Sequence, residues 1–158
     1  MPKNSSSFTF LIENTIAFVK QELHNAEGGH DWFHVQRVYK NALLISENEN
    51  VNKTIVALGA LLHDIADSKF HNGDESIGPK KAAAFLQTQE LSQDTITQVV
   101  KIIEHVSFKG GNSVPQGSSL SPALSIVSLV FAINCKLAND KLPTAHKEYA
   151  DDLSNICQ

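Results

Sequence analysis

Apolar residues recur at helical spacing along the chain, and no stretch sustains the alternation of a half-buried strand. Ile12, Ile16, Val19 and Leu23 predict a first helix over residues 8–24, broken by Glu27-Gly28-Gly29. A second helix begins near His30, with Val35, Val38, Ala42 and Ile45 on one face, and the polar residues 47–52 read as a connection. The third segment, residues 54–66, is apolar almost all round, the signature of a central, buried helix. Asn72-Gly73-Asp74 marks a loop, and Pro79, tolerated in a first helical turn, predicts a fourth helix over 79–89. Ser92 is placed to cap a fifth helix whose core face is Ile96, Val99, Val100 and Ile103. Residues 107–122 are rich in Gly, Pro and Ser and read as a loop. Ile126, Val130, Ile133 and Leu137 suggest a further helix, and Pro143 starts a last one carrying Tyr149, Leu153 and Ile156. The expectation is an all-α protein of about six to seven helices, folded as one domain over residues 1–158.

Composition narrows the classes of function. The apolar share is 42% and the charged share 19%, values of a water-soluble globular chain. The net charge of −4 argues against a nucleic-acid polymer or an anionic membrane as partner. It leaves room for a small basic pocket around one phosphorylated molecule. Cys135 and Cys157 form neither a disulfide framework nor a CxxC pair, which suits a reduced, cytoplasmic setting. The first ten residues lack the apolar run of a secretory signal, and no apolar stretch is long enough for a membrane span.

Two segments carry candidate chemistry. In Ala60-Leu61-Leu62-His63-Asp64-Ile65-Ala66-Asp67 an apolar helix runs into an adjacent His-Asp pair, with another acid three residues on. Such groups are costly to bury without partners. A divalent cation is one partner, since imidazole nitrogen and carboxylate oxygen suit transition metals and manganese. A hydrogen-bonded helix end is the other. Adjacent helical residues point about 100° apart, so both reach one ion only if it lies off the helix end. In Gly28-Gly29-His30-Asp31-Trp32-Phe33-His34-Val35-Gln36-Arg37-Val38, His30 and His34 share a helix face, and Arg37 follows His34 by one turn, where it can grip a phosphate with two hydrogen bonds. The plainer reading is an amphipathic helix with solvated polar residues, and Trp32 and Phe33 read as packing residues.

Taken together, Gly-His-Asp-Trp-x-His-x-x-Arg-Val, then Leu-Leu-His-Asp-Ile-Ala-Asp-Ser-Lys-Phe, then Val-Ser-Phe-Lys-Gly closely resemble the bacterial HD-domain metal-dependent phosphohydrolases, nearest their YpgQ/YedJ-like subgroup. The resemblance implies an all-helical HD fold and one divalent metal ion, manganese first, with magnesium or iron as alternatives. It implies His34, His63 and Asp64 as metal ligands, with His30 and Asp31 as supporting residues. Asp67 falls where related enzymes place an acid near the attacking water, making it the candidate general base. Arg37, Lys69 and Lys109 are the candidates for substrate phosphates. The implied substrate is a small phosphorylated molecule such as a nucleotide, and the implied reaction includes pyrophosphohydrolysis of nucleoside triphosphates.

The resemblance covers residues 8–127. Relatives continue with an Asp-Ala-Asp-Arg-Leu-Asp-like helix whose first acid completes the metal shell, whereas this chain reads Ser128-Leu129-Val130-Phe131-Ala132-Ile133-Asn134. Residues 128–158 are therefore expected to form an atypical tail, from a shortened or rearranged end. Asp140, Asp151 or Asp152 is a replacement ligand if that tail folds back, and Asn134 offers only a neutral carbonyl. Losing one carboxylate predicts weaker metal binding than in relatives. It also opens an alternative: a degenerate HD fold that holds a metal or nucleotide with little or no catalysis.

Overall fold

The computed structural model describes residues 4–24, 31–66 and 72–107, together with residues 123, 126, 127 and 130. It is all-α. Among the described residues five helices run in chain order: α1 (Asn4–Glu22), α2 (Trp32–Ser46), α3 (Lys53–Leu62), α4 (Ile77–Gln87) and α5 (Gln93–Ser107). Ala123, Ile126, Val127 and Val130 are also helical and buried, as the spacing of Ile126 and Val130 predicted. The helices expected beyond Val130, and most of the loop expected over 107–122, lie outside the described residues.

The third helix is the centre of the fold. Every residue from Ile55 to Leu62 is buried, which accounts for its lack of a polar face. It packs against α1, α2 and α5, while α4 packs on α5. Gly59 lets α5 come close. A Cβ built there would meet the Ile102 side chain at 3.0 Å. A second seam fastens α4 antiparallel to α1. Asn14 Nδ2 donates to Gln89 Oε1 at 3.4 Å. The rings of Phe18 and Phe85 stack with centroids 4.2 Å apart. Lys81 Nζ donates to Glu22 Oε2 at 2.6 Å. The partners step by four residues on each side, so a single ridge of α1 meets a single row that runs along α4 and into the turn just after it. The stacked rings contribute about 0.5–1.5 kcal/mol beyond their burial. The partly exposed ion pair adds no more than about 1 kcal/mol.

Several boundaries differ from the pattern-based ones, each for a local reason. The first helix starts at Asn4, ahead of any apolar periodicity. The third ends at Leu62 instead of reaching Ala66, with His63 as its C-cap. Its start is set by Asn52, whose side chain accepts the Thr54 and Ile55 N–H groups. Helix α4 spans Ile77–Gln87, slightly ahead of the expected 79–89. Ser107, expected to open a loop, ends α5. On α5, Val100 is only half-buried, and Ile102 and Val106 join Ile96, Val99 and Ile103 in the core. Before α4 the chain turns through Asn72 (φ 55°) and Gly73 (φ 82°), residue types that tolerate left-handed backbone.

The close α3–α5 approach gives a stability prediction. Gly59→Val drives two methyl groups toward Ile102 and costs about 1–3 kcal/mol through overpacking. Thermal unfolding should register this as a drop of roughly 2–12 °C. A variant melting with the parent would show that the helices part without penalty.

Candidate metal centre

The end of α3 builds one half of the site. Where a helix stops, its last carbonyls lose their intrahelical partners. The Ala60 carbonyl is taken up by the His63 ring, with Nδ1 at 2.8 Å. A carbonyl only accepts, so His63 Nδ1 carries a proton, and in the neutral ring the lone pair then lies on Nε2. His63 is 3% exposed, so this bond orients a buried imidazole. Ending the helix here also removes the difficulty of adjacent ligands. His63 and Asp64 occupy a turn at the end of α3, where both can face one point off the helix axis. Helix C-termini favour positive charge, which suits a cation there.

The first turn of α2 builds the other half. His34 sits three residues after Asp31, the N-cap, whose Oδ1 accepts the His34 N–H at 2.9 Å. His34 Nε2 lies 3.2 Å from His63 Nε2 and 4.0 Å from Asp64 Oδ2. The two rings meet edge to face at 60°. One ligand atom from each of His34, His63 and Asp64 can be chosen so that all lie within 4.8 Å of one another. The His34 and Asp64 side chains are 13% and 15% exposed, so the cluster opens to solvent on their side while His63 backs it.

The donor set fits a divalent cation. Two lone pairs cannot face each other at 3.2 Å without positive charge against them. Either a proton on His34 Nε2 or a metal ion supplies it. At metal–nitrogen bonds of about 2.0–2.1 Å, two neighbouring imidazole ligands stand roughly 2.9–3.4 Å apart, which brackets the observed separation. Two imidazoles and one carboxylate are donors that manganese, iron and zinc all accept.

The remaining sequence candidates divide sharply. Arg37 is exposed on α2, one turn beyond His34. Asp67, Lys69, Lys109 and His30 lie outside the described residues, as do Asn134, Asp140, Asp151 and Asp152. Trp32 packs against the core, and the Lys20 ammonium lies 4.7 Å from its ring centroid. Phe33 does not pack as expected. It is 64% exposed, because it falls on the outer face of α2, about 100° round the helix from each of its neighbours Trp32 and His34. The Ala60 carbonyl was not singled out from the sequence. Its only signal is its place three residues before a histidine at a helix end.

The family profile described as "HD domain" matches residues 32–140. The chain belongs to the HD-domain family. The match passes Val127 and ends at Asp140, the first carboxylate after that residue. An HD-superfamily hydrolase of known structure from Bacillus thuringiensis superposes with a TM-score of 0.63 at 31% identity, covering 80% of this chain and 58% of that one. The uncharacterized protein YpgQ of Bacillus subtilis is 30% identical over 97 residues, covering 61% of this chain and 47% of its own length. A tRNA (cytidine(56)-2'-O)-methyltransferase of Picrophilus torridus is 28% identical over 148 residues, covering 78% of this chain and 41% of its own length. This HD-domain chain thus spans about half the length of the curated relatives it matches.

A cluster that holds a cation in the folded state only must be stabilised by it. Manganese at a hundred times its dissociation constant should add about 2.7 kcal/mol, raising the melting temperature by roughly 5–11 °C. In His63→Ala the rise should vanish, and a rise of equal size there would place the bound ion elsewhere.

Proposed function

We propose that this chain is a metal-dependent phosphohydrolase acting on a nucleotide or other phosphate ester, with nucleoside triphosphate pyrophosphohydrolysis as one candidate reaction. The convergence of His34, His63 and Asp64 from two helices within 4.8 Å carries this reading. Membership of the HD-domain family and likeness to an HD-superfamily hydrolase support it. Manganese is the proposed ion, with magnesium or iron as alternatives. When bound, it supplies an acidified water and neutralises charge on the phosphoryl oxygens.

The protein's own groups do the rest. His63 offers Nε2 because Ala60 holds its other proton. Asp64 contributes the one formal negative charge of the described cluster. Arg37 is exposed and close along α2, so its guanidinium can clamp a phosphate with paired hydrogen bonds. Asp67, three residues after Asp64, is the proposed general base, accepting a proton from the attacking water. Lys69 and Lys109 are proposed to bind the substrate's outer phosphates. Among the described residues no helix is long and apolar enough to cross a membrane. A cytoplasmic setting is proposed on the grounds of cysteine usage.

One observation favours a second reading. Residues 128–139 contain no carboxylate, so the acid that completes the shell in relatives has no counterpart at that point. A protein that binds metal or nucleotide without turnover accommodates this directly.

Release of phosphate or pyrophosphate from a panel of nucleotides and simple phosphate esters, with manganese added, separates the two. The expected result is manganese-dependent hydrolysis that Asp64→Ala lowers by about a hundredfold or more, beyond the usual cost of altering an outer-shell group. Unchanged turnover in Asp64→Ala would reject the site. Tight manganese binding with no hydrolysis of any substrate would decide for the second reading.

A further inference from the structure

Among the described residues, three helices begin with a side chain that accepts a first-turn N–H. Asn52 caps α3 through Thr54 and Ile55, and Ser92 caps α5 through Thr95 at 3.2 Å. Asp31 caps α2, and the N–H it accepts, at 2.9 Å, belongs to His34 itself. The Asp31 backbone is extended (φ −94°, ψ 172°), the conformation that turns a cap's side chain back onto the helix. The next residue, Trp32, is held against α1 with the Lys20 ammonium over its ring. The first turn of α2 is therefore fixed by a carboxylate on one side and an aromatic anchor on the other. The imidazole that must meet His63 at 3.2 Å springs from that turn.

We propose that Asp31 is a positioning residue for the metal centre, acting through the His34 backbone and by virtue of its hydrogen-bond acceptor, not its charge. The proposal rests on the metal-centre reading above. Its logic is geometric. A ligand whose main-chain N–H is tied down has fewer orientations to lose when an ion binds, and a misplacement of a few tenths of an ångström is costly at bond lengths near 2 Å. Asparagine caps helices as well as aspartate and keeps the acceptor oxygen without the charge. Glycine is tolerated at N-caps with little loss of stability but has no acceptor at all. The pair separates positioning from both charge and folding.

The test is a cobalt(II) titration, followed by the visible absorption of the bound ion, on the full chain and on Asp31→Asn, Asp31→Gly, Asp31→Ala and Ser92→Ala. Thermal melts of the metal-free proteins verify folding. Asp31→Gly and Asp31→Ala should weaken cobalt binding by about 10–100-fold and change the band shape. Asp31→Asn should stay within about threefold of the parent, and Ser92→Ala should bind as the parent does. Parent-like binding by Asp31→Gly overturns the proposal while leaving the metal centre intact. Asp31→Asn as weak as Asp31→Gly overturns it in favour of charge. A loss in Ser92→Ala equal to that in Asp31→Ala overturns it in favour of general loosening. A parent chain that binds no cobalt removes the metal-centre reading, and the role of Asp31 with it.

Discussion

The hydrogen bond from His63 Nδ1 to the Ala60 carbonyl is the constraint on which the candidate site depends. It performs two tasks at one place. It takes up a carbonyl that the end of α3 leaves without a helical partner, and it selects the tautomer whose lone pair lies on Nε2. Without it, a buried carbonyl would lose its donor, at a cost of about 1–3 kcal/mol. The imidazole would also be free to turn its other nitrogen toward His34. A single local bond thus links the geometry of a helix end to the chemistry available beside it.

The scaffold makes that bond useful by keeping its reference frame rigid. Helix α3 is enclosed by α1, α2 and α5, and its residues from Ile55 onward are buried, so its end has little freedom to drift. The α1–α4 seam closes the ring from the other side, with Phe18 on Phe85 flanked by polar pairs. Helix α2 then brings His34 to the end of α3 as a rigid body. Close-packed interiors resist shifts of even a few tenths of an ångström. A site divided between two helices needs that resistance, since its donors are aligned by packing and not by chain proximity.

Much of the fold was legible because each helix declares its buried face. The all-round apolar run in α3 pointed to a central helix, and Ile55 to Leu62 are all buried. Residue type singled out His34, His63 and Asp64, and the fold brings these three within 4.8 Å of one another. What pattern could not show was how adjacent ligands share one direction. That depends on the helix stopping at Leu62, and hydrophobicity alone carries on through Ile65 and Ala66. Backbone groups such as the Ala60 carbonyl are identical at every position and leave no trace in composition. Pairs such as Asn14 and Gln89 lie 75 residues apart, so their meeting is a property of the assembled helices. Phe33 misled for the converse reason. An aromatic residue suggests packing, but its place on the outer face of α2 left it exposed.

The charge on the described donors bears on what the centre is suited to attract. Two neutral imidazoles and one carboxylate carry a single negative charge. A divalent cation among them would leave one net positive charge, whereas a second carboxylate would cancel it. The absence of an acid in residues 128–139 therefore has two opposed effects. On the proposed reading it would weaken the grip on a bound ion, and it would leave that ion less neutralised and more attractive to an anion. At the partly open side, where His34 and Asp64 are 13% and 15% exposed, that residual charge would face solvent. With exposed Arg37 one turn along α2, that positive potential would be extended rather than balanced. A phosphate group, with its several anionic oxygens, answers such a field better than a neutral ester or amide does. Under the proposed function, the same balance would set metal affinity against phosphate attraction.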